Sequence, residues 1–132
     1  IMITVTCAVI VHENKILVTQ RGPQMKHPLK WEFPGGKLEH NETPEQCIHR
    51  EIFEELNIRI SLVKQLSTVI HDYGSIKIAL IPFLSEFKSG SLTLKEHTQY
   101  LWISLSELHE FDWVDADVTV VEELKRVLGL VF

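Results

Sequence analysis

The sequence predicts an α/β domain in which a central mixed sheet carries helices on both faces. Two observations support this: β-rich runs flank a helical segment near the middle of the chain, and a second helical pattern closes it. Strands interrupted by one helix and followed by another pack as a layered sheet with a helix on each side.

Residues 3–12 and 15–20 are β-rich and are separated by Glu13-Asn14, a hairpin signal. Gly22 to Lys30 contains Pro23 and Pro28, lacks periodicity and reads as a loop, leading through Trp31 into a short strand at Glu32-Phe33 before Pro34-Gly35-Gly36. A helix begins after Thr43, which can cap the first amides while Gln46 reaches back. Pro44 takes the first helical position, where its missing amide costs nothing. At about 100° per residue, Ile48, Ile52, Phe53 and Leu56 share one face and Glu51, Glu54 and Glu55 share another. Cys47 falls on the carboxylate side and reads as a packing residue.

Residues 58–71 and 76–87 read as two long strands joined around Tyr73-Gly74-Ser75, and Pro82 marks the second as an edge or a bulge. Lys88 to Gly90 reads as a turn, Tyr100 to Ile103 as a strand and Ser104 to Glu110 as a short capped helix. Residues 117–128 form the last helix, with Val118, Val121, Leu124 and Leu128 at helical spacing. With no internal repeat, linker or low-complexity tract, the 132 residues are expected to form a single domain, 1–132.

The composition, 45% hydrophobic and 23% charged, is that of an ordinary globular protein. A net charge of -5 argues against a duplex-binding surface, which needs clustered Lys and Arg. Cys7 and Cys47 are too few for a disulfide framework or a zinc site, so a reducing, cytoplasmic setting is expected. The opening IMITVTCAVIV is short, alternates with Thr and lacks a basic leader, so it reads as a strand and not a signal peptide. No run reaches the roughly 20 apolar residues of a membrane span.

The acidic face of the central helix is unusual on physical grounds. Glu51 and Glu55 are like charges four apart, and with Glu54 they crowd the C-terminal half, where the helix dipole is already negative. A solvated surface helix could tolerate this. Gly35 and Gly36 precede the helix, however, and Arg50 stands beside Glu51 and four before Glu54, able to orient one or pair with the other. Hard divalent ions take oxygen ligands, and an acidic protein acting on phosphates needs such ions to offset repulsion.

The stretch GGKLEHNETPEQCIHREIFEELNI resembles the Nudix box, Gly-x5-Glu-x7-Arg-Glu-U-x-Glu-Glu-x-Gly-U with U aliphatic. Gly36, Glu42, Arg50, Glu51, Ile52, Glu54, Glu55 and Ile58 match it. Asn57 stands where the pattern has glycine, a mild departure because asparagine also accepts the left-handed conformation that ends a helix. Outside the box, TQR at 19–21, WEFPGGK at 31–37, KEH at 95–97 and DAD at 115–117 resemble MutT-like nucleoside triphosphate pyrophosphohydrolases.

That resemblance implies the α/β/α sandwich of the Nudix fold and a site for Mg2+, for which Mn2+ can substitute. Glu54 and Glu55 would be metal ligands and Glu51 a further ligand or the general base. Glu96 would enter from a loop and a carbonyl of the glycine pair, assigned to Gly35, would contribute. Arg50 would complete the catalytic set with Glu51 and Glu54, while Glu42 would be structural. Gly36 would let the backbone approach, and Lys37 and Arg21 would meet phosphate, the arginine as a bidentate fork. Asp117 would read the nucleobase edge, unless it is the N-cap of the last helix. Phe33 is the aromatic assigned to substrate; Trp31, Tyr73 and Trp113 read as packing, and none of the histidines is assigned to metal.

The expected reaction is metal-dependent hydrolysis of a nucleoside triphosphate to the monophosphate and pyrophosphate. An oxidised purine such as 8-oxo-dGTP leads in a mutation-avoidance role; CTP or a modified pyrimidine triphosphate is the alternative, and a non-catalytic nucleotide sensor is a second. A monomer or homodimer is expected.

Overall fold

The computed structural model describes residues 1–129. Its strands are β1 (Met2–His12), β2 (Lys15–Gln20), β3 (Trp31–Glu32), β4 (Gly35–Lys37), β5 (Ile58–Gln65), β6 (Val69–Asp72), β7 (Lys77–Gly90) and β8 (Gln99–Ile103). The helices are α1 (Pro44–Leu56) and α2 (Asp115–Leu128), with a 3-10 helix at Leu105–Glu110. The sheet runs β3-β2-β1-β7-β5, with β4 paired to β1, β6 to β7 and β8 to β2. Only the long β1–β7 pairing is parallel; the others are antiparallel, so the sheet is mixed.

Strand β1 shows why two layers form. Successive side chains leave a strand on opposite faces, and Cys7 and Val9 enter one core while Ala8 and Ile10 enter the other. The first core packs against α2 through Val120, Val121, Leu124 and Leu128. The second packs against α1 through Ile48, Ile52 and Leu56. The expected α/β/α sandwich is the observed one.

Local signals account for the connections. Glu13 and Asn14 both take positive φ (51° and 64°), as a two-residue hairpin turn requires. Thr43 accepts from the Gln46 amide while the Gln46 side chain accepts from the Thr43 amide, completing the capping box, and Asn57 ends α1 in the left-handed region. Ser104 and Glu107 form a similar box before the 3-10 helix.

Several expectations are corrected. The strand read over 58–71 is two strands, β5 and β6, interrupted at 66–68. Pro82 is on neither an edge nor a defined bulge: β7 lies between β1 and β5/β6, and Pro82 falls at the changeover from β6 to β5, where its carbonyl accepts from Leu66 (2.8 Å) and an absent amide is tolerated. Lys88 to Gly90 extends β7 instead of turning. Helix α2 starts at Asp115, and its Val118 is exposed while Val120 is buried. Phe53 is likewise exposed, with the Arg59 guanidinium 4.6 Å over its ring, whereas Cys47 is buried.

Candidate active site

Three elements bring the box residues together. Strand β4 lies along β1, and α1 packs over both. Ala8 donates to the Pro34 carbonyl and Leu38 to the Thr4 carbonyl. Antiparallel alternation then places Gly36 in a hydrogen-bonded pair with Thr6 and turns the carbonyls of Gly35 and Lys37 away from β1. The Lys37 carbonyl meets Arg50 Nη2 at 3.1 Å, whereas the Lys37 side chain is exposed. A side chain at Gly36 would run into the Glu51 carboxyl group, and one at Gly35 into the Thr6 and Cys7 backbone. The two glycines therefore serve different ends: Gly36 leaves room for the Glu51 carboxyl group and Gly35 allows close packing of the strands. Cys47, buried beneath them, touches Thr6 Oγ1 (3.2 Å) and the carbonyls of Gly36 and Lys37.

The carboxylates around α1 divide into two sets. Arg50 gathers Glu42 through two bonds (2.6 and 3.0 Å), Glu39 at 2.9 Å and Glu54 at 3.1 Å, with Glu51 more distant at 3.5 Å. Its guanidinium and the Glu39 amide hold Glu42 down to a pKa of about 2. Arg50 thus serves mainly Glu42, a partner that spacing along the helix does not reveal, and in the manner of a fixed strut.

Glu51 and Glu55 are the opposite case. Each has a carboxylate oxygen, Oε2, that is buried with no hydrogen-bond partner. Burial raises the pKa of both, countered by Arg50 at Glu51 and reinforced by the charge of Glu96 at Glu55. A buried acceptor left unpaired costs about 1–3 kcal/mol, more than helix packing needs. Glu96 stands across from Glu55 because its segment is pinned at both ends: Lys95 donates to the Glu55 carbonyl (3.2 Å) and Thr98 to that of Gln20 (2.9 Å). Among the described residues no three His, Cys, Asp or Glu side chains stand ready to enclose an ion, and Glu54 is turned to Arg50. The unpaired oxygens of Glu51 and Glu55, with Glu96 opposite, nevertheless fit a hard cation in chemistry and charge.

A second cluster lies on the α2 side. Asp117 is buried, and its Oδ2 accepts from the Phe33 amide at 2.8 Å. Burial, then the charge of Glu32, pushes its carboxyl well above the usual range. Neither Asp117 nor Asp115 is the cap of α2, a position held by Val114. The Phe33 ring, assigned to substrate, is 2% exposed and stacked on Trp113 (4.8 Å), while its amide meets Asp117. Arg21 donates through Nη1 to Glu32 (3.0 Å) and through Nε to the Lys26 carbonyl. Glu32 and His97, its partner at 2.8 Å, had no role from sequence; only the separate motifs WEFPGGK and KEH hinted at them.

A NUDIX domain model matches residues 2–124. The chain is 42% identical over 83 residues to an 8-oxo-dGTP diphosphatase of Proteus vulgaris, covering 63% of this chain and 74% of that protein. It is 31% identical over 121 residues to the CTP pyrophosphohydrolase of Escherichia coli, covering 92% and 90%. The solution structure of a MutT protein from methicillin-resistant Staphylococcus aureus superposes with a TM-score of 0.77 at 36% identity, covering 94% of this chain and 95% of that one. With the box on α1 and the glycine pair of β4 in place, the chain belongs to the NUDIX family of hydrolases.

Proposed function

We propose that the chain hydrolyses a nucleoside triphosphate to its monophosphate and pyrophosphate, with an oxidised purine such as 8-oxo-dGTP as the preferred substrate and removal of mutagenic nucleotides as the role. The observation that carries this is the pair of buried, unpartnered oxygens on Glu51 and Glu55 facing Glu96, beside a separate buried acid, Asp117. Relatives named as 8-oxo-dGTP diphosphatases support the substrate class.

Glu51, Glu54, Glu55 and Glu96, with the Gly35 carbonyl, would hold Mg2+ or Mn2+. Bound there, the ion offsets phosphate charge and makes an attacking water more acidic. Glu51 would serve either as a further ligand or as the carboxylate that receives the water's proton. Arg50 keeps Glu54 and Glu42 in register. Arg21 and Lys37 contact phosphate, and Gly36, by leaving room for the Glu51 carboxyl group, lets that group stand close to it. Asp117, buried and held by the Phe33 amide, is the side chain assigned to the edge of the base.

CTP or a modified pyrimidine triphosphate is the second reading, favoured by the long match to a CTP pyrophosphohydrolase. No helix in the described residues is long and apolar enough to cross a membrane. The test is a panel of 8-oxo-dGTP, dGTP, CTP, dCTP and dinucleotide polyphosphates with Mg2+, scored by pyrophosphate release. Turnover of 8-oxo-dGTP well above the rest is expected. Cleavage of only a dinucleotide or a nucleotide sugar overturns the reading.

A further inference from the structure

His97 sits between the two clusters. Its side chain is 4% exposed, and Nε2 lies 2.8 Å from Glu32 Oε2 while the other oxygen, Oε1, accepts from Arg21 at 3.0 Å. The imidazole, the carboxylate and the guanidinium thus form one chain in which Glu32 is held at both ends. On its other side His97 lies near Glu55. Nδ1 is buried and bonds to no protein group. An apolar side chain of similar size would fill this space without an orphaned nitrogen, so space-filling does not account for the ring. The segment holding it bridges α1 and the end of β2, through Lys95 to Glu55 and Thr98 to Gln20, and Arg21 directly follows that strand.

We propose that His97 is a positioning residue that, by donating from Nε2 to Glu32, fixes the carboxylate that orients Arg21 toward substrate phosphate. Because a carboxylate only accepts, Nε2 is the donor, and the Nε2–H tautomer of the neutral ring supplies that hydrogen as the charged ring does. The same bond ties the Glu96 segment to β3, so the loop that faces Glu55 and the arginine on the phosphate path share one anchor.

The kinetic arm of the test rests on the proposed triphosphate hydrolysis; the spectroscopic arm does not. In His97→Leu the Arg21 Nε–H resonance is expected to shift and broaden, because Glu32 is released at one end. KM for the nucleoside triphosphate should rise about tenfold, typical of losing a supporting contact, with kcat changed much less. His97→Gln, whose amide can donate to Glu32, should recover most of both. Glu32→Gln, which leaves the ring packed, should disturb the Arg21 resonance in the same way and serves if His97→Leu does not fold. An unshifted Arg21 resonance in His97→Leu, or in Glu32→Gln, overturns the proposal, as does His97→Gln behaving like His97→Leu. If no triphosphate is hydrolysed by the unaltered protein, the functional reading fails while the Arg21 resonance still decides the role of His97.

Discussion

The two flanks of α1 carry the same chemistry in opposite conditions. On one flank Glu39, Glu42 and Glu54 surround Arg50 and are paired with it. On the other, Glu51 and Glu55 keep buried oxygens with nothing to accept from, and Glu96 adds to the negative charge. A fold selected only for stability would have paired or replaced the second set. The contrast separates Arg50, Glu39 and Glu42, which brace one another, from Glu51 and Glu55, whose unpartnered oxygens we propose are kept available for a cation, with Glu54 paired to Arg50 and proposed to join them.

The strongest way to break this comparison is to neutralise one carboxylate from each flank. Glu55→Gln should lower turnover on the order of 10²-fold or more, as removal of a preorganised electrostatic group does, while the melting temperature holds or rises because like-charge repulsion is relieved. Glu42→Gln should behave inversely, with a lower melting temperature and only a modest effect on turnover. If both variants lose activity and stability alike, the division is wrong.

The glycine pair sharpens the same contrast at the next level. Gly36→Ala places its methyl against the Glu51 carboxyl, so activity should fall while the fold persists, because a side-chain end can yield. Gly35→Ala meets the backbone of Thr6 and Cys7, which does not yield, so it should lose thermal stability and soluble yield first. Circular dichroism melts beside turnover numbers separate the two.

A smaller effect appears on titration. Glu42 is held at about 2 against an ordinary 4.5, so its stabilising contribution is present above the ordinary value and is lost as pH falls toward 2. Glu51 and Glu55 are raised, so in the metal-free protein their ionisation removes stability as pH climbs from the ordinary value through the raised one. Divalent-ion affinity and activity should climb over that same interval, since the ligands must first lose protons. Glu42→Gln should erase the acid-side loss of stability and leave the alkaline trend intact, as chemical denaturation across pH would show.

Much of the architecture was legible because its signals are local. Thr43, Pro44 and Gln46 specify a helix start within four residues, and Glu13-Asn14 specifies a hairpin. The failures arise where tertiary contacts decide. Phe53 has the right period for the core but lies outside under Arg59, and Pro82 sits in a central strand because two different strands share its flank. At the site, the box spacing announces Glu51, Glu54 and Glu55 and the Arg50–Glu54 pair, yet Arg50 makes its two bonds to one carboxylate with Glu42, from before the helix. The Glu32–His97 contact spans two segments that no periodicity connects. Asp117 could read as a helix cap until the fold put the first turn of α2 against Phe33.

The most direct test of the central claim is calorimetric titration of Mn2+ or Mg2+ into the metal-free protein, alone and with a non-hydrolysable nucleoside triphosphate, compared with Glu51→Gln and Glu55→Gln. Uptake by the unaltered protein that weakens sharply in both variants, with Glu42→Gln nearly unaffected at the same pH, is the predicted result. Absence of uptake, or uptake undiminished in Glu51→Gln and Glu55→Gln, would contradict the claim that these two carboxylates are reserved for a cation.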